Sequence, residues 1–145
     1  MPGCVFSAVG DFFNVEEYLA TVSMDTLDVF IKGQQRSRRR PRASRPFKAS
    51  GFTIGVSDSN DVKKQIDDAL KFISRETSAL LKLKEWAGVT ERRLDFGCTL
   101  SIGKIDPSSG GEIMVQCEYF PAALLKIAGD LGIGIEVSIY PALEG

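Results

Sequence analysis

One stretch of this sequence limits the possible folds more than any other. From residue 94 to residue 102, apolar side chains at every second position alternate with small or polar ones. Because successive side chains of a strand point to opposite faces, this period predicts a strand with one buried face. Shorter alternations predict further strands at 4–9, 27–32, 52–56, 113–117 and 133–140.

Helical patterns lie between these strands. Asn14 is suited to cap a short helix, and Glu17, three residues later, completes a capping box. Apolar residues from Val62 to Leu81 recur at helical spacing, with a weak patch at 74–78 that fits either one long helix or two. Pro121 predicts the start of a last helix, since its missing N–H costs nothing in the first turn.

The order of these elements, β-α-β-β-α(α)-β-β-α-β, predicts an α+β fold in a single domain over residues 1–145. One twisted mixed or antiparallel sheet of about six strands, with helices packed on one face, satisfies every alternation. We expect the strands at 27–32 and 52–56 to form an antiparallel hairpin. The opposite face of the sheet is predicted to be small and polar, and open to solvent or a partner: Thr53, Ser57, Asp95, Thr99, Ser101, Glu136 and Ser138.

The formal net charge of −1 conceals a strong asymmetry. Between Val29 and Ser57 there are eight basic residues and no acidic one, so the remainder carries a balance of −9. Residues 33–50 lack apolar periodicity, and their positive charges repel one another, which predicts an exposed basic loop at the tip of the hairpin. Its arginines are candidate partner-binding residues: Arg36, Arg38, Arg39, Arg40, Arg42 and Arg45.

Two interpretations of these arginines stay open. They could neutralise phosphates and give a salt-dependent affinity for nucleic acid. They could instead form a solvated loop, or one that docks on an acidic neighbour such as this chain's own body or a second copy. Phe47 alone stands nearby, so stacking on bases is not indicated.

The sequence contains no histidine, which excludes Ser-His-Asp and Cys-His catalysis and any zinc site with a histidine ligand. Two acidic pairs, Asp25 with Asp28 and Asp58 with Asp61, flank element starts, where capping and turn chemistry accounts for them. Gly132-Ile133-Gly134 precedes a strand rather than a helix, so it does not predict a phosphate loop. We therefore predict no catalytic, cofactor-binding or metal-binding residues, and no cofactor.

Three cysteines fit neither a zinc site nor a disulfide framework. Cys98 and Cys117 lie in alternating patterns, which predicts buried, reduced thiols. Acidic residues interrupt the N-terminal stretch, so it does not resemble a signal peptide, and no apolar run approaches the length of a membrane span. These patterns predict a cytoplasmic protein without a membrane segment.

Several motifs together resemble a known family. They are Gly10-Asp11-Phe12 after the first strand, Phe30-Ile31-Lys32-Gly33, the long helical segments, and the ending from Leu131 to Tyr140. The pattern looks like the small, mainly bacterial domain-of-unknown-function family four-two-seven-nine, from about Cys4 to Tyr140. The resemblance implies a stand-alone α+β domain and supplies no catalytic residues.

These observations favour a non-catalytic intracellular interaction module that binds another protein, through either the polar sheet face or the basic loop. A bacterial immunity-type or regulatory role is suggested by analogy with other small bacterial domains. The alternative is a nucleic-acid-associated protein that contacts phosphates through the arginine loop.

Overall fold

The computed structural model describes residues 2–34 and 46–142. Five strands and four helices lie in these two ranges, and the fold is α+β, as predicted. The strands are β1 (Cys4–Gly10), β2 (Asp28–Phe30), β3 (Ser50–Ser57), β4 (Glu91–Thr99) and β5 (Gly134–Tyr140). The helices are α1 (Val15–Leu19), α2 (Val62–Arg75), α3 (Thr77–Lys84) and α4 (Ala122–Asp130). None of these helices is long and apolar enough to cross a membrane.

The strands form one mixed sheet in the order β2-β3-β1-β4-β5. Three neighbouring pairs are antiparallel, whereas β4 and β5 run parallel. The predicted hairpin is confirmed, because Asp28 pairs with Thr53 and Phe30 with Gly51. The parallel pairing of β5 follows from α4, which carries the chain back to the starting end of β4.

The helices pack on one face of the sheet and bury its aromatic side chains. Phe6 of β1 contacts Phe72 of α2, with 5.6 Å between the ring centroids. Phe52 of β3 stacks on Tyr18 of α1 at 5.7 Å. Phe96 of β4 is fully buried on the same side. Aromatic pairs of this kind each contribute about 0.5–1.5 kcal/mol beyond the burial of their area.

The long helical pattern is divided into two helices at the predicted weak patch. Glu76 lies between α2 and α3 with a non-helical backbone. The Thr77 hydroxyl donates to the Ile73 carbonyl at 2.7 Å and so satisfies a carbonyl at the end of α2. Asp61 caps the other end of α2 and accepts from the Lys63 amide at 3.2 Å.

The predicted returning strand at 113–117 is wrong, and β4 ends at Thr99 rather than at residue 102. Both sides of β4 are already paired, with β1 and with β5, so no position remains for a further strand. The turn at 106–111 does form, in a small hairpin outside the sheet where Ile113 donates its amide to the Lys104 carbonyl at 2.7 Å. Cys117 is consequently exposed, which corrects the prediction of a buried thiol, whereas Cys98 is buried as expected.

A close backbone crossing fixes the end of β1 against the loop before β4. A methyl group added at Gly10 would lie 1.8 Å from the Gly88 carbonyl oxygen. Gly88 itself has a φ of 87°, a conformation that other residues rarely adopt. Glycine at both positions therefore allows the two backbone segments to approach this closely.

Candidate functional site

The predicted arginine site lies outside the described residues. The structure describes the two ends of the loop, which meet as the stem of a hairpin. Gly33 donates its amide to the Phe47 carbonyl at 3.0 Å, and Phe47 donates its amide to the Gln34 carbonyl at 3.0 Å. Between these two ends, outside the described residues, lie the predicted partner-binding residues Arg36, Arg38, Arg39, Arg40, Arg42 and Arg45.

A second candidate surface lies on the sheet itself. Within the described ranges, the helices lie on one face, and residues that alternate with the core positions form the other, which we call the uncovered face. Strand pairing brings its side chains together in rows across the sheet. The uncovered face comprises Val5, Ser7, Val9, Asp28, Phe30, Thr53, Glu91, Arg93, Asp95, Thr99, Glu136 and Ser138.

Arg93 organises the charges of the uncovered face. Its Nη1 atom lies 3.1 Å from Glu91 Oε1 and 3.1 Å from Glu136 Oε2, and thus bridges β4 to β5. Its Nε atom donates to Ser7 Oγ on β1 at 3.4 Å. Contacts in three directions hold the guanidinium in place. Among the described residues of this face, four carboxylates accompany this one cation, so the described part of the surface is acidic.

A second fixed carboxylate lies beside this network. The Ser138 hydroxyl lies 2.7 Å from Asp95 Oδ1 and 2.9 Å from Asp95 Oδ2, which ties β5 to β4. Asp95 is half-buried, and the hydrogen bond orients its carboxylate. The uncovered face therefore presents polar groups whose positions are set by hydrogen bonds and ion pairs within the chain.

Most of the predicted polar face is confirmed, with two corrections. Thr53, Asp95 and the predicted positions on β5 lie on the uncovered face. Ser57 instead turns toward α2, where its hydroxyl donates to Asp68 Oδ2 at 2.7 Å. The register between β1 and β3 is irregular at this end of the pair, which changes the direction of the side chain. Ser101 lies beyond the end of β4.

A cleft of about 620 Å³ opens at the rim of the uncovered face, where β1, β3 and α2 meet. Asp58, Asp68 and Asp95 line it, and we call it the acidic cleft. Hydrogen bonds from Lys64 and then Ser57 lower the pKa of Asp68. Burial, together with Asp95 and Asp68, raises the pKa of the Cys4 thiol to about 12.

These shifts limit the chemistry of the acidic cleft. Asp68 is ionised at neutral pH and cannot act as a general acid. The Cys4 thiol stays protonated and is a poor nucleophile. The other predicted acidic pairs are not brought into a catalytic arrangement: Asp61 caps α2, and Asp25 lines a separate cleft with Arg75 and Glu76. Within residues 2–34 and 46–142, no cluster of three acidic or cysteine side chains could hold a metal ion.

Sequence reasoning missed the residues that organise the uncovered face, namely Glu91, Arg93 and Ser7. A signal for two of them was present, because Glu91, Arg93 and Asp95 are in phase with each other and out of phase with Leu94. Extending the alternation backward from Leu94 would have placed them on one face. Their meeting with Ser7 and Glu136 depends on strand order, which the alternation does not specify.

Fold and surface together define an α+β protein with a single sheet, helices on one face and a pre-organised acidic surface on the other. The family model described as domain of unknown function (DUF4279) matches residues 2–142, nearly the whole chain. The chain belongs to this family, as the sequence motifs predicted. It has no significant match among curated proteins or among solved structures.

Proposed function

We propose that this protein is a non-catalytic binding module and that its uncovered face takes a protein partner. The observation that carries the proposal is the arrangement around Arg93. A guanidinium held between two carboxylates on neighbouring strands forms a rigid pattern that a partner can read without further ordering of side chains.

The chemistry of the uncovered face specifies the kind of partner. Asp28, Glu91, Asp95 and Glu136 outnumber the one cation, Arg93, so a partner with basic side chains is electrostatically complementary. Half-buried valines on β1 add apolar area beside these charges. A mixture of fixed charge and apolar area is typical of protein–protein interfaces.

Three observations favour binding over catalysis. The ionised Asp68 carboxylate is already paired with Lys64 and Ser57, and the Cys4 thiol is protonated. Asp95, the remaining carboxylate between the cleft and the uncovered face, is tied to Ser138. Neither carboxylate is free to act as a general base, and the thiol is not an activated nucleophile, which favours a binding role.

We further propose a cytoplasmic, bacterial protein with a regulatory or immunity-type role. Cys4, Cys98 and Cys117 are free thiols, which suits a reducing compartment. The role itself is offered by analogy with other small bacterial domains of this kind.

A second candidate function is nucleic-acid binding through the arginine loop. The observation in its favour is the run of eight basic residues without an acidic one between Val29 and Ser57. Contacts with phosphates would make the affinity fall steeply between low and moderate salt. Binding that is absent or independent of salt would end this alternative.

The uncovered face can be tested with a matched pair of substitutions. Thr53→Arg places a long cation in the middle of the uncovered face, whereas Ser78→Arg makes a similar change on the exposed surface of α3. We expect affinity capture from the native host, followed by binding measurements with the purified partner, to show at least a tenfold loss for Thr53→Arg alone. Equal binding by both variants would contradict the proposal.

Nuclease treatment and deletion of residues 36–45 separate the two candidate functions. A partner that persists after both treatments supports the uncovered face. A partner that disappears with nuclease supports the nucleic-acid alternative and contradicts the first proposal. A protein that survives nuclease but is lost with the loop contradicts the uncovered face as its binding surface.

A further inference from the structure

The outer side of β5 is a long sheet edge without a described neighbour. β5 stands at the end of the sheet order and pairs with β4 alone over seven residues. Its range contains no proline or lysine, one charged residue, Glu136, and no irregularity in its register. Proteins usually protect such an edge with prolines, lysines or other charged residues, or bulges. Because β5 has only Glu136 of these, its edge is available for pairing.

Alternate residues of β5 direct their backbone groups toward this free edge. The Tyr140 carbonyl accepts from the Leu100 amide at 2.8 Å, so Tyr140 faces the β4 side. Because both backbone groups of a strand residue point the same way and alternate along the chain, the positions in phase with Tyr140 also face β4. The amides and carbonyls of Ile135, Val137 and Ile139 therefore point outward.

The side chains of the same three residues form an apolar row along the edge. They share the helix-covered side of the sheet, because Val137 pairs with Phe96 and Ile139 with Cys98. Val137 is 41% exposed and Ile139 is 65% exposed. Exposed apolar side chains beside unpaired backbone groups are typical of a strand that accepts another strand.

We propose that β5 pairs with β5 of a second copy, antiparallel about a two-fold axis at Val137, so that two sheets become one of ten strands. The sequence of β5 is complementary to itself in this register. Val137 lies opposite Val137, and Ile135 opposite Ile139, so all three outward-facing positions form hydrogen-bonded pairs. Three such pairs supply about six hydrogen bonds between the chains.

Charge also fits this register. Glu136 lies opposite Ser138 of the second copy, so the two Glu136 side chains are only diagonal neighbours, about 7–8 Å apart. Each is already paired with Arg93 of its own chain. A like-charge pair directly across the interface is therefore avoided.

Other symmetric registers allow fewer hydrogen bonds between the two chains. An axis at Glu136 or Ser138 would place opposite each other residues whose amides and carbonyls already face β4 and so cannot bond to the second chain. An axis at Ile139 would bring Pro141, which lacks an N–H, opposite Val137. Val137 is the centre of β5, so the proposed axis keeps the whole strand in the pairing.

This pairing is independent of the proposed function, since it uses the edge and leaves the uncovered face open. It would join the uncovered faces of two copies into one surface. The occupant proposed for the edge is a second copy of this chain, because β5 placed against itself pairs all three outward-facing residues without opposing like charges.

The oligomeric state of matched variants tests the pairing. Val137→Lys places two cations opposite each other at the axis, whereas Val29→Lys changes the same residue type, 40% exposed, on the β2 edge. In sedimentation over roughly a hundredfold dilution series, we expect a concentration-dependent dimer for the wild type and Val29→Lys. Val137→Lys should be monomeric, and its melting temperature should be independent of concentration and match the value that the wild type approaches on dilution.

A second variant covers the case in which Val137→Lys does not fold. Val137→Pro removes only an outward N–H and leaves the pairing with β4 intact, so it should fold and remain monomeric. A wild-type monomer at every concentration, or a dimer in both Val137 variants, would overturn the proposal. A wild type that is monomeric but captures an extended peptide at β5 would overturn it in favour of a different occupant.

Cross-linking tests the register directly. In a Cys117→Ser background, Val137→Cys should form a disulfide between two chains under mild oxidation, because directly paired Cα atoms lie about 5.5 Å apart. Val29→Cys in the same background should stay monomeric. Cross-linking of Val29→Cys but not Val137→Cys would contradict pairing through β5.

Discussion

The two faces of the sheet are made by neighbouring residues of the same strands, yet their chemistry differs completely. Phe52 is fully buried against Tyr18, whereas Thr53, the next residue, lies on the uncovered face. Phe96 is buried under the helices, whereas Asp95 accepts from Ser138 on the other side. The difference teaches that the buried aromatic core lies on one face only, so substitutions should separate stability from the recognition that we propose for the other face.

The largest effect is expected from the helix-covered face. Phe52→Ala removes the ring that stacks on Tyr18 and leaves a cavity, which should lower the free energy of unfolding by about 3–5 kcal/mol. Thr53→Ala, one residue along β3, should change it by less than about 1 kcal/mol. Denaturant unfolding of both variants measures the contrast, and equal losses would refute the division between the faces.

A smaller loss of stability is expected where the loop before β4 crosses the end of β1. Gly10→Ala forces a methyl group against the Gly88 carbonyl, so the backbone must shift, which should cost about 1–3 kcal/mol. Gly55 offers the matched control on β3, because a methyl group there meets no atom within 4 Å. Thermal unfolding should show a clear decrease for Gly10→Ala and almost none for Gly55→Ala; the reverse order would contradict the close crossing.

On the uncovered face, loss of the central ion pairs should matter little for stability. Arg93 and its two carboxylate partners are partly exposed, so Arg93→Ala should lower the free energy of unfolding by at most about 1 kcal/mol. The loss should shrink further at high salt, because exposed charges are screened. A loss as large as that of Phe52→Ala would show that the uncovered face is part of the stabilising core.

The smallest effect concerns the acidic cleft between the two faces. Lys64 and Ser57 lower the pKa of Asp68 below its ordinary value of 3.8, so its ionised form stabilises the folded state above that pH. As the pH falls through 3.8 toward the folded pKa, this contribution is lost. The stability difference between wild type and Asp68→Asn should therefore vanish in acid.

The ion pair can be isolated in this measurement by a double-mutant cycle. In a Lys64→Met background, Asp68→Asn should have a smaller effect on the free energy of unfolding at neutral pH. A difference between wild type and Asp68→Asn that grows on acidification would contradict the assigned direction of the pKa shift.

Sequence patterns predicted where strands and helices lie along the chain better than which strands lie side by side in the sheet. The alternation through Leu94, Phe96 and Cys98 identified β4, and the weak patch at 74–78 identified the break between α2 and α3. The same alternation continues through Leu100, beyond the end of β4, and a separate alternation covers 113–117. No strand forms at 113–117, because both sides of β4 are already occupied. Alternation reports which side of a strand is apolar and carries no information on which strands lie beside it.

The candidate site could likewise be predicted only in part. The polar character of the uncovered face could be predicted from residues that alternate with the core, such as Thr53 and Asp95. The position of Arg93 between Glu91, Glu136 and Ser7 could not, because it depends on the order of three strands and on their register. The prediction for the arginine loop stays a prediction.

The most direct measurement of the central claim is a map of amide chemical shifts in the labelled protein when its purified partner is added. We predict that the largest changes fall on the uncovered face, at Ser7, Thr53, Arg93 and Asp95, with little change along the exposed surfaces of α2 and α3. Changes confined to those helices, with the amides of β1, β3 and β4 unaffected, would contradict the claim that the uncovered face is the binding surface.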